Sequence, residues 1–295
     1  MTLSRTLTDV AIPGAARART AVAIPGWLRR TRPAVALAWA FIALLGVAIL
    51  APHALAPGDP LAVDPTATFI PPGAEHWFGT DESGGDIYTR VVHGARTSIL
   101  IGLAATAIAV TLGTLVGIAA GLSHRYVESG IMRVLDVVLA VPELLLALVI
   151  IGIIGGGTLN AVIAIGVGGV AYYARIVRAQ THRVKSSLYV EAARVLGQGR
   201  TAVIVRHVLP NAIKPILVLA TIGVGGAIGA GASLAFLGLG TPPPSPEWGA
   251  MLSVGRNFIS NAPWLILIPA GLLVLTVLAI TTIGRDITRR TEGRA

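Results

Sequence analysis

The residues of this chain that could do chemistry are few, and their spacing argues against catalysis. Neither of its two lysines, Lys185 and Lys214, follows a glycine, so the G-x4-G-K-[ST] loop that cradles nucleotide phosphates is absent. The six histidines (His53, His76, His93, His124, His182 and His207) show no ligand spacing. No nucleophile elbow and no H-E-x-x-H stretch occurs. Cysteine is absent, which excludes disulfides, zinc–thiolate sites and iron–sulfur clusters. No metal site is expected, and His182 and His207 read as structural loop residues. Asp136 and Glu143 are different, because they fall inside an apolar run, where ionisable groups are costly and call for a partner or a function. Seven residues of separation put them two turns apart on one helix face. Asp136 is expected near the end of its span, paired with Arg133 or a loop arginine. Pro142 should kink the helix and leave Glu143 facing a pathway or a second subunit.

A second group of residues points to binding. Residues 189–211 read YVEAARVLGQGRTAVIVRHVLPN, a basic segment with two close glycines between long apolar runs. Leu188, Ala192, Val195 and Leu196 recur at helical spacing, Gly197 suits the position after a helix C-cap, and Gly199 gives a second flexible point. Residues 202–208 can form another turn or two of helix, limited by Pro210. Ala192 and Ala193 are small enough for another surface to approach closely, and Glu191 supplies charge at the rim. Physical chemistry alone leaves two readings: an amphipathic loop lying on anionic headgroups, or a docking element for a separate protein.

The elements that must position these residues follow from hydropathy. Of 295 residues, 54% are hydrophobic and 13% charged, against about 25% charged in ordinary globular domains. Mean hydropathy is +0.76. The chain therefore reads as an all-α integral membrane protein. Six runs approach the ~20 residues that a crossing needs: residues 34–56, 98–122, 131–154, 158–177, 216–240 and 262–284. The net charge of +9 has a membrane explanation, since no separate basic domain suited to nucleic acid is present. Arg90, Arg96 and Arg256 fall on one side of the six-span arrangement, and the other 20 basic residues fall on the opposite side. By the positive-inside rule, both termini and the 178–212 loop are cytoplasmic. The first run is too long for a signal-peptide core of roughly 7–15 residues and is expected to be an uncleaved span.

The resulting organisation is an N-terminal tail (1–33), a first span with an external segment (34–97), a five-helix core (98–284) and a C-terminal tail (285–295). A second external stretch, 241–261, contains Pro242–Pro244 followed by Glu247-Trp248-Gly249. Three prolines cannot continue a helix, so a rigid turn is expected there. Gly113, Gly117 and Gly121, like Gly223, Gly225, Gly226, Gly229 and Gly231, read as close helix packing.

Glu191-Ala192-Ala193, then Gly197, then Leu209-Pro210 resembles the E-A-A-x3-G-x9-I-x-L-P motif of permease subunits of bacterial ABC importers. His207 stands where the general motif has isoleucine, and Arg206-His207-Val208-Leu209-Pro210-Asn211 is similar to the dipeptide and oligopeptide branch. Residues 76–102, 132–148 and 232–252 resemble the C-type subunit of that branch, although Gly85 stands where arginine is usual. The resemblance implies a type I importer permease fold with a cytoplasmic coupling helix, in the plasma membrane. It implies coupling to an ATPase through Glu191, Ala192, Ala193, Gly197, His207, Leu209 and Pro210. It further implies a second permease subunit, two ATP-binding subunits that use ATP and magnesium, and an extracytoplasmic solute-binding protein. The chain itself would bind no cofactor and hydrolyse no ATP, and its cargo would be peptides or a related small solute. A self-sufficient secondary transporter or channel is the alternative.

Overall fold

A computed structural model describes residues 31–291. Most of the N-terminal tail, with Arg5, Arg17, Arg19, Arg29 and Arg30, lies outside the described residues, as does Arg294. The described residues are helical: α1 (Thr31–Leu50), α2 (Pro52–Leu55), α3 (Ile87–Leu122), α4 (Arg125–Ala140), α5 (Glu143–Ile154), α6 (Thr158–Lys185), α7 (Leu188–Val195), α8 (Arg200–Val203), α9 (Leu209–Phe236), α10 (Trp248–Gly255) and α11 (Trp264–Thr291). Five helical stretches are long and apolar enough to cross a membrane, and the bent pair α4–α5 makes a sixth if it is one span.

Several boundaries differ from the hydropathy reading, each for a local reason. The first run breaks at Ala51, and Pro52 opens the short helix α2. Helix α3 starts eleven residues before the apolar run because Asp86 caps it. The Asp86 carboxylate accepts from the Thr89 amide at 2.9 Å and from the Thr89 hydroxyl at 2.7 Å. Helix α6 runs past its apolar stretch to Lys185, and His182, Arg183 and Lys185 in its last turn complement the negative end of its dipole.

The largest correction concerns the third run, which is two helices meeting at 93°. Proline disfavours helical geometry in the residue before it, and Val141 is accordingly extended (φ −86°, ψ 127°), followed by Pro142 at ψ 132°. Two consecutive extended residues break the helix outright where a kink was expected. Asp136 and Glu143 therefore do not share a helix face.

Helix α3 is the central strut and packs most extensively along α6. Gly113, Gly117 and Gly121 form the seam, where an added Cβ would meet Tyr173 and the Val170 carbonyl, the Ala174 carbonyl and Val177, or Thr181. In α9 the glycines divide. Gly225 and Gly231 approach Val277 and Ile101, whereas Gly226 and Gly229 have nothing within 4 Å of an added Cβ, so close packing within this chain explains only some of them.

Helix α10 was not anticipated from the sequence. Its cap, Glu247, is 1% exposed and accepts from the Gly249 amide at 2.8 Å, the Ala250 amide at 2.7 Å and the Ser98 hydroxyl of α3 at 3.1 Å. Burial pushes its carboxyl up, against the pull of these donors. Trp248, fully buried, donates from Nε1 to the Val91 carbonyl at 2.8 Å. Together they lock α10 onto α3. Replacing Glu247 with glutamine presents an N–H to one of the buried donors. The expected loss is about 1–2 kcal/mol, seen as a lower melting temperature of the detergent-solubilised protein.

Candidate functional site

The segment 178–212 forms a compact elbow between α6 and α9. Val190 and Ala193, one turn apart on α7, are buried with Val184, Val203 and Val208, and Leu122 at the end of α3 packs on this small core. The elbow is thus held to the ends of the spans by its own apolar cluster. The opposite face of α7 is uncovered: Leu188 is 83% exposed, Val195 82% and Leu196 80%, with Ala192 exposed among them. Glu191 lies exposed at the edge of this face and has no ion pair among the described residues. Ala193, read from sequence as part of an approachable surface, is instead internal packing, so Ala192 is the alanine left for a partner.

Helix α7 ends as its glycine dictates. Gly197 takes φ +79°, and its amide donates to the Arg194 carbonyl at 3.0 Å while the Gln198 amide donates to the Ala193 carbonyl at 3.1 Å. This pair of bonds is the Schellman arrangement, which requires a left-handed residue after the C-cap. Gly199 is different: at φ −62° and ψ 149° it has a backbone any residue can adopt. Its expected role as a second flexible point has no conformational basis.

Pro210 does not limit the second helix. The path from Arg200 to Phe236 is helical throughout, because residues Ile204–Val208 form a π-helical turn and Pro210 sits in the first turn of α9. A proline clashes with the carbonyl four residues before it, and a widened turn gives that carbonyl room. The Asn211 side chain donates to the His207 carbonyl at 2.8 Å, and His207 Nε2 lies 3.1 Å from Gln198 Oε1. His207 thereby ties the π-helical turn to the glycine corner, while Leu209 and Pro210 begin α9.

Asp136 and Glu143 are not part of this elbow. Asp136 pairs with Arg175 of α6, both about half exposed. Glu143, exposed at the start of α5, lies with its Cγ against α6 at Gly168. Two ionic features escaped sequence reasoning. Glu128 of α4 receives both Arg178 and His182 of α6, the latter at 2.7 Å, and Arg90 pairs with the buried Asp81. The His182 partner is fifty-four positions away in sequence, beyond any local pattern. At Gly85 an added Cβ would lie 2.9 Å from Asp81 Oδ2 and 3.3 Å from Arg90 Nη1, so the glycine leaves that carboxylate to Arg90. Among the described residues no cluster of three or more His, Asp or Glu side chains could hold a metal ion.

The fold is that of a transport permease. Residues 113–292 match the family described as binding-protein-dependent transport system inner membrane component, and this chain belongs to it as a multi-pass inner-membrane protein. It is 42% identical to the dipeptide transport system permease protein DppC of Alkalihalophilus pseudofirmus, over 81% of this chain and 78% of that one. It is 36% identical to the probable D,D-dipeptide transport system permease protein DdpC of Escherichia coli K12, over 88% of each. Among solved structures, the inward-facing MetNI methionine ABC transporter superposes with a TM-score of 0.57 at 21% identity, covering 68% of this chain and 95% of that one. An amino acid ABC transporter crystallised with histidines superposes at 0.55 and 19% identity, covering 68% and 94%. The fold is that of ABC importer permeases.

Proposed function

We propose that this chain is the membrane-spanning permease subunit of an ATP-driven importer that carries peptides, or a related small solute, inward across the plasma membrane. The observation that carries this reading is the uncovered apolar face of α7, set on an elbow packed rigidly against the span ends. In water such a face needs a partner, and a lever of this kind is suited to passing rigid-body motion to the spans. The partner is a cytoplasmic ATP-binding subunit, two of which use ATP and magnesium. A second permease completes the pathway, and an extracytoplasmic binding protein delivers cargo. Peptide cargo rests on the names of the relatives.

Both termini and the elbow are assigned to the cytoplasm by the distribution of Arg and Lys. Because the chain has no cysteine, single cysteines report sidedness cleanly. Val63→Cys, at a site 64% exposed, is expected to react with an impermeant maleimide in intact cells. Thr201→Cys, exposed on the second limb of the elbow, should react only after permeabilisation. Co-expression with neighbouring transport genes should yield a complex whose proteoliposomes take up a labelled dipeptide only with ATP. Uptake by this chain with no ATP-binding subunit would make it a secondary carrier and overturn the reading.

A further inference from the structure

Behind the elbow lies a second feature that the docking face does not use. A cavity of about 370 Å³ opens between the ends of α3 and α6 and the second limb of the elbow. Lys185, Arg194 and Arg200 stand around it over an apolar floor that includes Leu122, Ile204 and Val208. Among the described residues no acidic side chain lines it, and none of the three cations has an ion pair. The exposed residues of the α7 docking face, Leu188, Val195 and Leu196, are not among its walls. One of its residues places it beside a span: Leu122 ends both α3 and the charge-free run 98–122. The floor therefore abuts the end of that span, with the cations around it. The π-helical turn that accommodates Pro210 supplies Ile204 and Val208, so the cavity is built by the same backbone feature that joins elbow to span.

We propose that this cavity seats the phosphate of an anionic lipid headgroup, with the glycerol and first acyl carbons against the apolar floor. Three cations converging on an acid-free hollow provide charge complementarity, and a cytoplasmic leaflet presents anionic phosphate beside such a site at all times. The occupant bridges α6, α7 and α8, bracing the elbow against the spans from the side opposite its docking face. The proposal rests on the cytoplasmic placement of the elbow, which the cysteine labelling tests separately.

The test uses the complex with its partner permease and ATP-binding subunits, in nanodiscs of phosphatidylcholine with or without phosphatidylglycerol. Native mass spectrometry then follows lipid retained after extraction. Phosphatidylglycerol should be retained in preference to phosphatidylcholine. Its affinity should fall about fivefold for Arg200→Gln alone, and on the order of 100-fold when Lys185→Gln and Arg194→Gln are added. The single variant keeps the test decisive if the triple variant does not assemble. Unchanged retention in Arg200→Gln overturns the proposal. Displacement of the lipid by millimolar inorganic phosphate would make this a free-anion site and overturn it. Loss of phosphatidylglycerol on adding the ATP-binding subunits to the isolated permease would assign the cations to an acidic protein surface, with the same result.

Discussion

Gly197→Val is expected to insert normally and to lose about nine-tenths of coupled transport. An added Cβ at 197 would meet nothing within 4 Å, so the substitution creates no clash and removes no packing. What it opposes is the backbone, which at φ +79° costs an L-residue roughly 1–2 kcal/mol, with β-branched valine at the unfavourable end. That strain is relieved by opening the corner after α7. The Gly197 and Gln198 amides then leave their carbonyls, and the angle between α7 and the second limb is lost. A penalty near 1.4 kcal/mol shifts the ratio of docking to opened geometry about tenfold. The measurement is ATP-dependent uptake beside membrane yield, with Gly199→Ala as its partner. Gly199 has ordinary backbone angles and equally open surroundings, so its alanine variant should transport as the parent does. Equal loss in both variants would mean that the elbow tolerates no side chain at all, and the conformational account of Gly197 would be wrong.

Gly117→Leu is expected to abolish the folded protein. Here the added Cβ would lie 2.5 Å from the Ala174 carbonyl oxygen and 2.6 Å from Val177 Cβ. The first of these is backbone and cannot rotate away. Relief requires α3 and α6 to separate along their whole seam, since Gly113 and Gly121 hold the same close approach on either side. Overpacking of a well-filled interior costs typically 1–3 kcal/mol. A helix–helix seam that must part exceeds the upper part of that range, about 3 kcal/mol, a large share of the stability of any protein. The readout is the monodisperse fraction in size-exclusion chromatography of the solubilised protein. Gly130→Leu is the control. It sits in α4 with nothing within 4 Å of an added Cβ, and leucine is the better helix former by about 1 kcal/mol, so the yield should hold or rise. A monodisperse Gly117→Leu protein would show that the α3–α6 seam is not the strut described here.

These two glycines were both noticed in sequence, and they illustrate different limits of it. Gly197 could be read as a helix stop because the apolar spacing before it ends there and glycine follows. The structure supplies the left-handed angle that makes the reading physical. For Gly117 the spacing of 113, 117 and 121 indicated close packing but could not name the neighbour, α6, whose carbonyl ladder the seam approaches. The same spacing named no neighbour within this chain for Gly226 and Gly229.

By itself the sequence determined the class of this protein. Long continuous apolar runs indicate helices in lipid, because a helix satisfies all of its backbone polar groups within the segment and barrel strands would instead be short and alternating. A motif of fixed spacing, Glu191 to Pro210, located the elbow between two of those helices. These properties are local, set by windows of about twenty residues or fewer. The tertiary structure decided what depends on residues far apart in the chain or on competing local forces. It turned the run 131–154 into two helices at 93°, because two extended residues around Pro142 outweighed the apolar periodicity. It carried the helix through Pro210 by widening a turn. It buried Ala193 and left Ala192 outside, because which side of a short helix is covered depends on Val184, Val203 and Val208 beyond its ends. And it gathered Lys185, Arg194 and Arg200 around one hollow, which no spacing along the chain could announce.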